Sequence, residues 1–194
     1  MGDKRERTKA MIISKSLPLF SQKGFAKVTM KDICDATGMS RGGLYSHFSS
    51  TIEIFEEILK FITQNDSMEF ARGICEERPA VEMLDNALES MESELIDSDN
   101  TLERAIYEFA IGVDKDFMQE LNYKAEEKWK SLIEYGISRG EFKEVDIDGV
   151  IGIILYVYQG IRMWSDIVDM RPVTIKAVLK NIRNQLVMEE NNEY

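Results

Sequence analysis

The sequence predicts an all-α protein of about nine helices: a three-helix helix-turn-helix head, joined by a long helix to a larger helical body. Three observations carry this. The 194 residues hold only three prolines, Pro18, Pro79 and Pro172, and long stretches lack turn signals. Apolar residues recur at intervals of three and four, the period of an amphipathic helix. Charge is divided: residues 1–50 hold nine Lys and Arg against four Asp and Glu, a net of +5, whereas the remainder holds 15 against 31, a net of −16. A basic head on an acidic body confines contact with a polyanion to one end.

The first helix is expected over about 4–23, with Ala10, Ile13, Leu17 and Phe20 on one face and Gly24 as its C-cap. Thr29 is a good N-cap for "MKDICDAT", in which Met30, Ile33 and Cys34 share a face. Gly38 breaks that helix and Ser40 caps the next, "RGGLYSHF". Two short helices across a glycine-containing three-residue connection make a helix-turn-helix pattern. Ser50 or Thr51 opens a helix to about Cys75, roughly 37 Å long at 1.5 Å per residue. Five more helices are expected at about 80–97, 101–113, 116–139, 147–169 and 173–190, with "DSDN" and "RGEFKEVD" among the separators and a frayed tail "EENNEY". The domains read as 1–50, the helix-turn-helix head, and 51–194, the larger helical body.

The stretch "SRGGLYSHF" places Gly42 and Gly43 at the start of a short helix, where each costs about 1 kcal/mol relative to alanine. In a helix-turn-helix the second helix enters the major groove with its N-terminal residues at base edges. Glycine there removes the spacer that would hold the backbone away, and the helix N-terminus favours phosphate. Arg41, beside the glycines, can reach guanine O6 and N7, worth about 1–3 kcal/mol of discrimination. Leu44 and Phe48 are spaced to anchor the helix in its own core. Tyr45 suits a thymine methyl or a phosphate. His47, the chain's one histidine, has no partner for metal binding or nucleophilic catalysis and suits a phosphate contact.

The residues "VTMKDICDATGMSRGGLYSHFSSTIEIFEEIL", with "FSQKGF" before them, resemble the N-terminal domain of the TetR family of transcriptional repressors over about residues 8–62. "YEFAIGVDKDFMQEL" and "GISRGEFKEVDIDGVIGIILYVYQGI", with a turn at Gly140 and Glu141, resemble the family's C-terminal domain. The resemblance implies a homodimer on a palindromic double-stranded DNA operator, released when a small molecule, here unknown, binds the body. It carries base-reading positions onto Arg41 and Gly42, a base or backbone contact onto Tyr45, and phosphate-side positions onto Thr29, Ser40, Gly43 and His47. Ser46 joins these as a DNA-side candidate. Two residues depart from the pattern: Cys34 stands where alanine is usual, and Thr51 where lysine is common. The second departure removes a phosphate contact or leaves it to hydroxyl and backbone donors.

In the body, "DGVIGIILYVYQGIRMW" is apolar on nearly all sides and requires cover on two faces. Ile154, Ile161, Ile175, Val178 and Ile182 are the candidate dimer interface, with Gly149, Gly152 and Gly160 permitting close approach. Tyr107, Met118, Trp129, Tyr156, Gln159 and Met163 are the candidate ligand pocket; plain core packing is the alternative for each. Cys34 and Cys75 lack metal-ligand spacing and read as reduced packing thiols. No cofactor or metal is implied, no catalytic constellation is present, and an enzyme is not expected. With no apolar span of membrane length and no secretory leader pattern, the expectation is a cytoplasmic protein without a membrane partner. The leading reading is a ligand-responsive repressor; the alternative is a DNA-localised protein-interaction adaptor without a small-molecule inducer.

Overall fold

The computed structural model describes residues 2–96, 102–165 and 167–188; the segment "DSDN" and the tail "EENNEY" lie outside them. Among the described residues are nine α-helices and no strand. They are α1 (Gly2–Lys23), α2 (Met30–Thr37), α3 (Arg41–Tyr45), α4 (Thr51–Cys75), α5 (Ala80–Ile96), α6 (Leu102–Gly112), α7 (Lys115–Ser138), α8 (Ile147–Ser165) and α9 (Pro172–Leu186). None of them is long and apolar enough to cross a membrane.

By internal contact the chain forms two compact units: Met1–Gln64 with Asp99–Gln119, and Asn65–Ser98 with Glu120–Tyr194. The chain passes between them within the continuous helices α4 and α7.

In the first unit α1 packs on α2 and α6. Its core includes Ile12, Phe20, Phe25, Ile33, Leu44, Phe48, Phe55, Ile58 and Phe109. Four of these rings form a cluster: Phe25 lies 5.1 Å from both Phe55 and Phe109, and Phe20 lies 4.8 Å from Phe55. Phe109 comes from α6, more than eighty residues along the chain from Phe25, so α6 is part of the head's core.

In the second unit α5, α8 and α9 pack together around Leu84, Leu88, Ile151, Ile154, Leu155, Ile175, Leu179 and Ile182. Arg183 of α9 forms a two-bond ion pair with Asp85 of α5, at 2.6 and 3.1 Å. The turn at Gly140, φ +69°, seats Phe142 against Gly136, where a Cβ would lie 2.3 Å from the ring. Glu141 then accepts the N–H of Val81 at 3.1 Å, capping the start of α5. This gives the Gly-Glu turn a structural reason.

Three helices end earlier than the sequence pattern suggests. α3 stops at Tyr45, where the Ser46 N–H bonds back to the carbonyls of Gly42 and Leu44. α8 stops at Ser165, and the amides of Ile167 and Val168 turn back onto the Trp164 carbonyl. α9 stops at Leu186 because Val187 turns extended and pairs with Phe142, while the Lys143 N–H binds the Leu186 carbonyl at 2.8 Å. That pairing is non-local and leaves no trace in helical periodicity. Cys34 is half-buried, but Cys75 is exposed and does not serve as a packing thiol.

Candidate nucleic-acid interface

The start of α2 is built by a reciprocal cap. The Asp32 N–H donates to Thr29 Oγ1 at 3.2 Å, and the Thr29 N–H donates to Asp32 Oδ2 at 2.8 Å. Thr29 Oγ1–H also donates to Asp32 Oδ2 at 2.6 Å, and Lys23 Nζ lies 2.6 Å from Oδ1. These partners, Lys23 foremost, hold the Asp32 carboxyl well below the ordinary aspartate value of 3.8. A depressed folded pKa stabilises the protein above the unfolded value and is lost as pH falls through the folded one. Asp32→Ala therefore lowers stability by about 1–2 kcal/mol at pH 7. The difference from wild type narrows below about pH 4, which urea titrations at several pH values will read.

α2 ends at Gly38, whose φ of +71° is the left-handed conformation that closes a helix, with its N–H on the Cys34 carbonyl at 2.9 Å. Met39 and Ser40 complete the connection. Ser40 Oγ accepts the Gly43 N–H at 3.2 Å and so opens α3. Leu44 and Phe48 are buried, as their spacing predicts. They anchor α3 and the residues that follow it in the core of the first unit.

Arg41, Gly42, Tyr45 and Ser46 are all exposed. Arg41 lies over the Tyr45 ring, with the guanidinium carbon 5.6 Å from its centroid. The two glycines differ. A Cβ at Gly42 would meet nothing within 4 Å, whereas one at Gly43 would lie 3.2 Å from Ser40 Oγ. Packing therefore gives a reason for Gly43, in the cap, and none for Gly42.

Of the remaining candidates, Ser46 and Thr29 have internal partners. Ser46 Oγ–H donates to the Gly43 carbonyl at 2.7 Å, and the Thr29 hydroxyl is engaged in its cap. His47 is half-buried, and its Nδ1 is buried without a hydrogen-bond partner.

Glu53 is a residue that sequence reasoning missed. Its Oε2 accepts the Ser49 N–H at 2.7 Å and the Ser49 hydroxyl at 2.9 Å. The Ser49 amide chiefly holds the Glu53 carboxyl below its usual range. The backbone and hydroxyl donors expected to replace the absent lysine at position 51 are, at Ser49, already engaged. The signal was present in the spacing: Glu53 lies three residues after Ser50, whose Oγ accepts the Glu53 N–H at 3.2 Å.

In the second unit a cavity of about 120 Å³ has Phe70, Met83, Met91, Trp129 and Ile154 in its wall, with Lys128, Arg78, Glu94 and Tyr158 among its polar lining. Lys128 Nζ sits 5.0 Å from the Phe70 centroid and 5.5 Å from that of Trp129. Of the six residues expected at a pocket, Trp129 lines this cavity. Met118 is half-buried and lies in the other unit; Tyr107, Tyr156, Gln159 and Met163 are exposed. Of the five expected at a dimer face, Ile154, Ile161, Ile175 and Ile182 are buried in their own unit's core, and Val178 is half-buried against it. The face that α8 leaves open is a different one: Gly149, Gly152, Ile153, Tyr156, Gly160, Met163 and Trp164, at helical spacing. Gly149 has a local role there, since its N–H donates to Asp146 Oδ1 at 3.3 Å.

Residues 12–58 match the family of bacterial regulatory proteins called tetR. The HTH-type transcriptional regulator YfiR of Bacillus subtilis is 25% identical over 91% of this chain and 94% of its own length. The HTH-type transcriptional repressor KstR2 of Rhodococcus jostii is 29% identical over 76% of this chain and 72% of its own length. A TetR-family regulator from Agrobacterium tumefaciens shares the fold, with a TM-score of 0.73 at 13% identity, covering 95% of this chain and all of that one. A capped helix-turn-helix with an exposed recognition helix, a matching family segment and a shared all-helical fold agree: residues 12–58 are similar to the tetR family of bacterial regulatory proteins, and the chain shares the fold of TetR-family regulators.

Proposed function

We propose that the chain is a transcriptional repressor that binds a palindromic operator as a homodimer and leaves it when a small molecule occupies the second unit. Residues 1–50 are the DNA-binding domain; residues 51–194 bind the effector and the second copy. The observation that carries the reading is Gly42: a helix-breaking residue kept where packing would accept a side chain, beside an exposed Arg41 and Tyr45. Arg41 and Gly42 meet base edges. Tyr45 meets a base or the backbone, and Thr29, Ser40, Gly43, Ser46 and His47 line the phosphate side. The exposed apolar face of α8 supports a second copy, since Tyr156, Met163 and Trp164 are each about half exposed or more in the single chain. Trp129 and the cavity around it are the effector site.

Selection from random DNA tests the reading. Wild type enriches a sequence with two inverted half-sites. Arg41→Ala weakens that binding by about 1–3 kcal/mol per head and relaxes preference at one base position. Failure of wild type to enrich any palindrome, even at low salt, sinks the reading.

The cavity favours one second reading. At about 120 Å³ it is smaller than the roughly 300–1,000 Å³ usual for drug-sized ligands, and the larger space beside it, a groove of about 640 Å³ that shares Phe70 and Lys128 with it, is more open to solvent. A DNA-localised adaptor that recruits a protein needs no inducer. Under that reading Arg41→Ala protein loses the DNA and retains the partner in a pull-down.

A further inference from the structure

We propose that Glu108 is a positioning residue that fixes how the helix-turn-helix is presented, and so sets the half-site spacing the protein accepts. The proposal rests on the dimeric, DNA-binding reading above.

Glu108 lies on α6 and reaches the turn between α1 and α2. Its Oε2 accepts the N–H of Ala26 at 3.0 Å, and its Oε1 accepts Arg104 Nε–H at 3.1 Å. Gly24, at φ +77°, turns the chain towards it. A Cβ at Gly24 would lie 2.8 Å from Oε2 and 2.9 Å from Oε1, so the bare backbone is what leaves room for the carboxylate. The side chain is three-quarters buried, and the Ala26 amide chiefly holds its carboxyl below the usual range.

Beside this contact, the Phe109 ring packs on Phe25 and Phe55 at 5.1 and 5.2 Å. The two contacts do different work. Ring contacts are favourable over a range of offsets and tolerate sliding. A charge-assisted hydrogen bond to a backbone amide is directional and short. Ala26 lies three residues before the cap that starts α2, and α2 leads through Gly38 to α3. Holding Ala26 therefore fixes the recognition helix relative to α6. In a twofold dimer the two heads must meet half-sites about 34–36 Å apart. Freedom at the Ala26 turn, present on both heads, spreads the separations that fit.

The test uses full-length protein and DNA duplexes carrying the wild-type-selected half-site twice, inverted, at a series of spacings. Binding is read by fluorescence anisotropy, and folding by circular dichroism and melting. Wild type binds one spacing at least about 10-fold more tightly than its neighbours. Glu108→Ala brings that preference below about 3-fold while a single half-site binds as before. Glu108→Gln, which retains one acceptor oxygen, falls between. A folded Glu108→Ala protein with an unchanged spacing profile overturns the proposal, and so does one that binds every spacing more weakly by the same factor. Should Glu108→Ala not fold, the Glu108→Gln profile decides, broadened for the proposal or unchanged against it. A wild type that selects no paired half-sites overturns the dimer reading and this proposal with it. A wild type that selects them while Glu108→Gln and Glu108→Ala leave the profile intact overturns this proposal alone.

Discussion

Gly42→Leu leaves the fold intact and abolishes operator binding. The two halves of this expectation have separate causes. A Cβ at Gly42 meets open space, with nothing within 4 Å. Leucine is also a better helix former than glycine, by somewhat less than the roughly 0.8–1 kcal/mol that separates glycine from alanine. The melting temperature therefore stays level or rises. On DNA the same side chain becomes a spacer between α3 and the groove. It lifts Arg41 from base edges and the backbone from phosphate, so affinity falls by more than about 100-fold, the loss of one bidentate contact with its neighbours on each head. Gel shifts and thermal melts on the same preparation read both halves. Gly43 is the contrast, because a Cβ there presses on the Ser40 cap at 3.2 Å. Normal binding by Gly42→Leu refutes the clearance argument.

Phe109→Ala has the largest expected effect on stability. The ring is fully buried, and it contacts Phe25 at 5.1 Å, Phe55 at 5.2 Å and Phe117 at 5.9 Å. Its removal takes away a large transfer term and leaves a cavity lined by rings that cannot all collapse inward. Losses of about 3–5 kcal/mol are typical of such truncations. Urea denaturation followed by circular dichroism reads the shift, and a loss below about 1 kcal/mol refutes the central place given to α6 in the head's core. Phe109→Leu retains much of the apolar volume and loses less.

The head was legible because its signals are local. Thr29, Gly38 and Ser40 announce caps and a turn from residues three or four apart, and the structure uses all three as caps. Leu44 and Phe48, four residues apart, are buried together, and Arg41, Gly42 and Tyr45 around them are exposed. The occupation of Ser49 by Glu53 was also local, a pattern of spacing that went unread.

The body was less legible, and α8 shows why. A helix apolar on nearly all sides has no face that periodicity can single out. Ile154 and Ile161 turn inward, while Ile153, Tyr156, Met163 and Trp164 turn out. The expected interface and pocket residues were drawn from both sides of that division.

By itself, the sequence determined the all-α class, the order of the helices, the caps of the helix-turn-helix and the placing of a glycine beside an arginine. Each depends on chemistry within one or two helical turns. Only the tertiary structure decided that α6 belongs to the head's core, that Glu108 holds the Ala26 amide, that Trp129 lines a cavity and which side of α8 stays open. Those contacts join residues tens of positions apart. An apolar stripe tells a helix that it must be covered, and not by what, because burial is non-directional and any complementary face satisfies it.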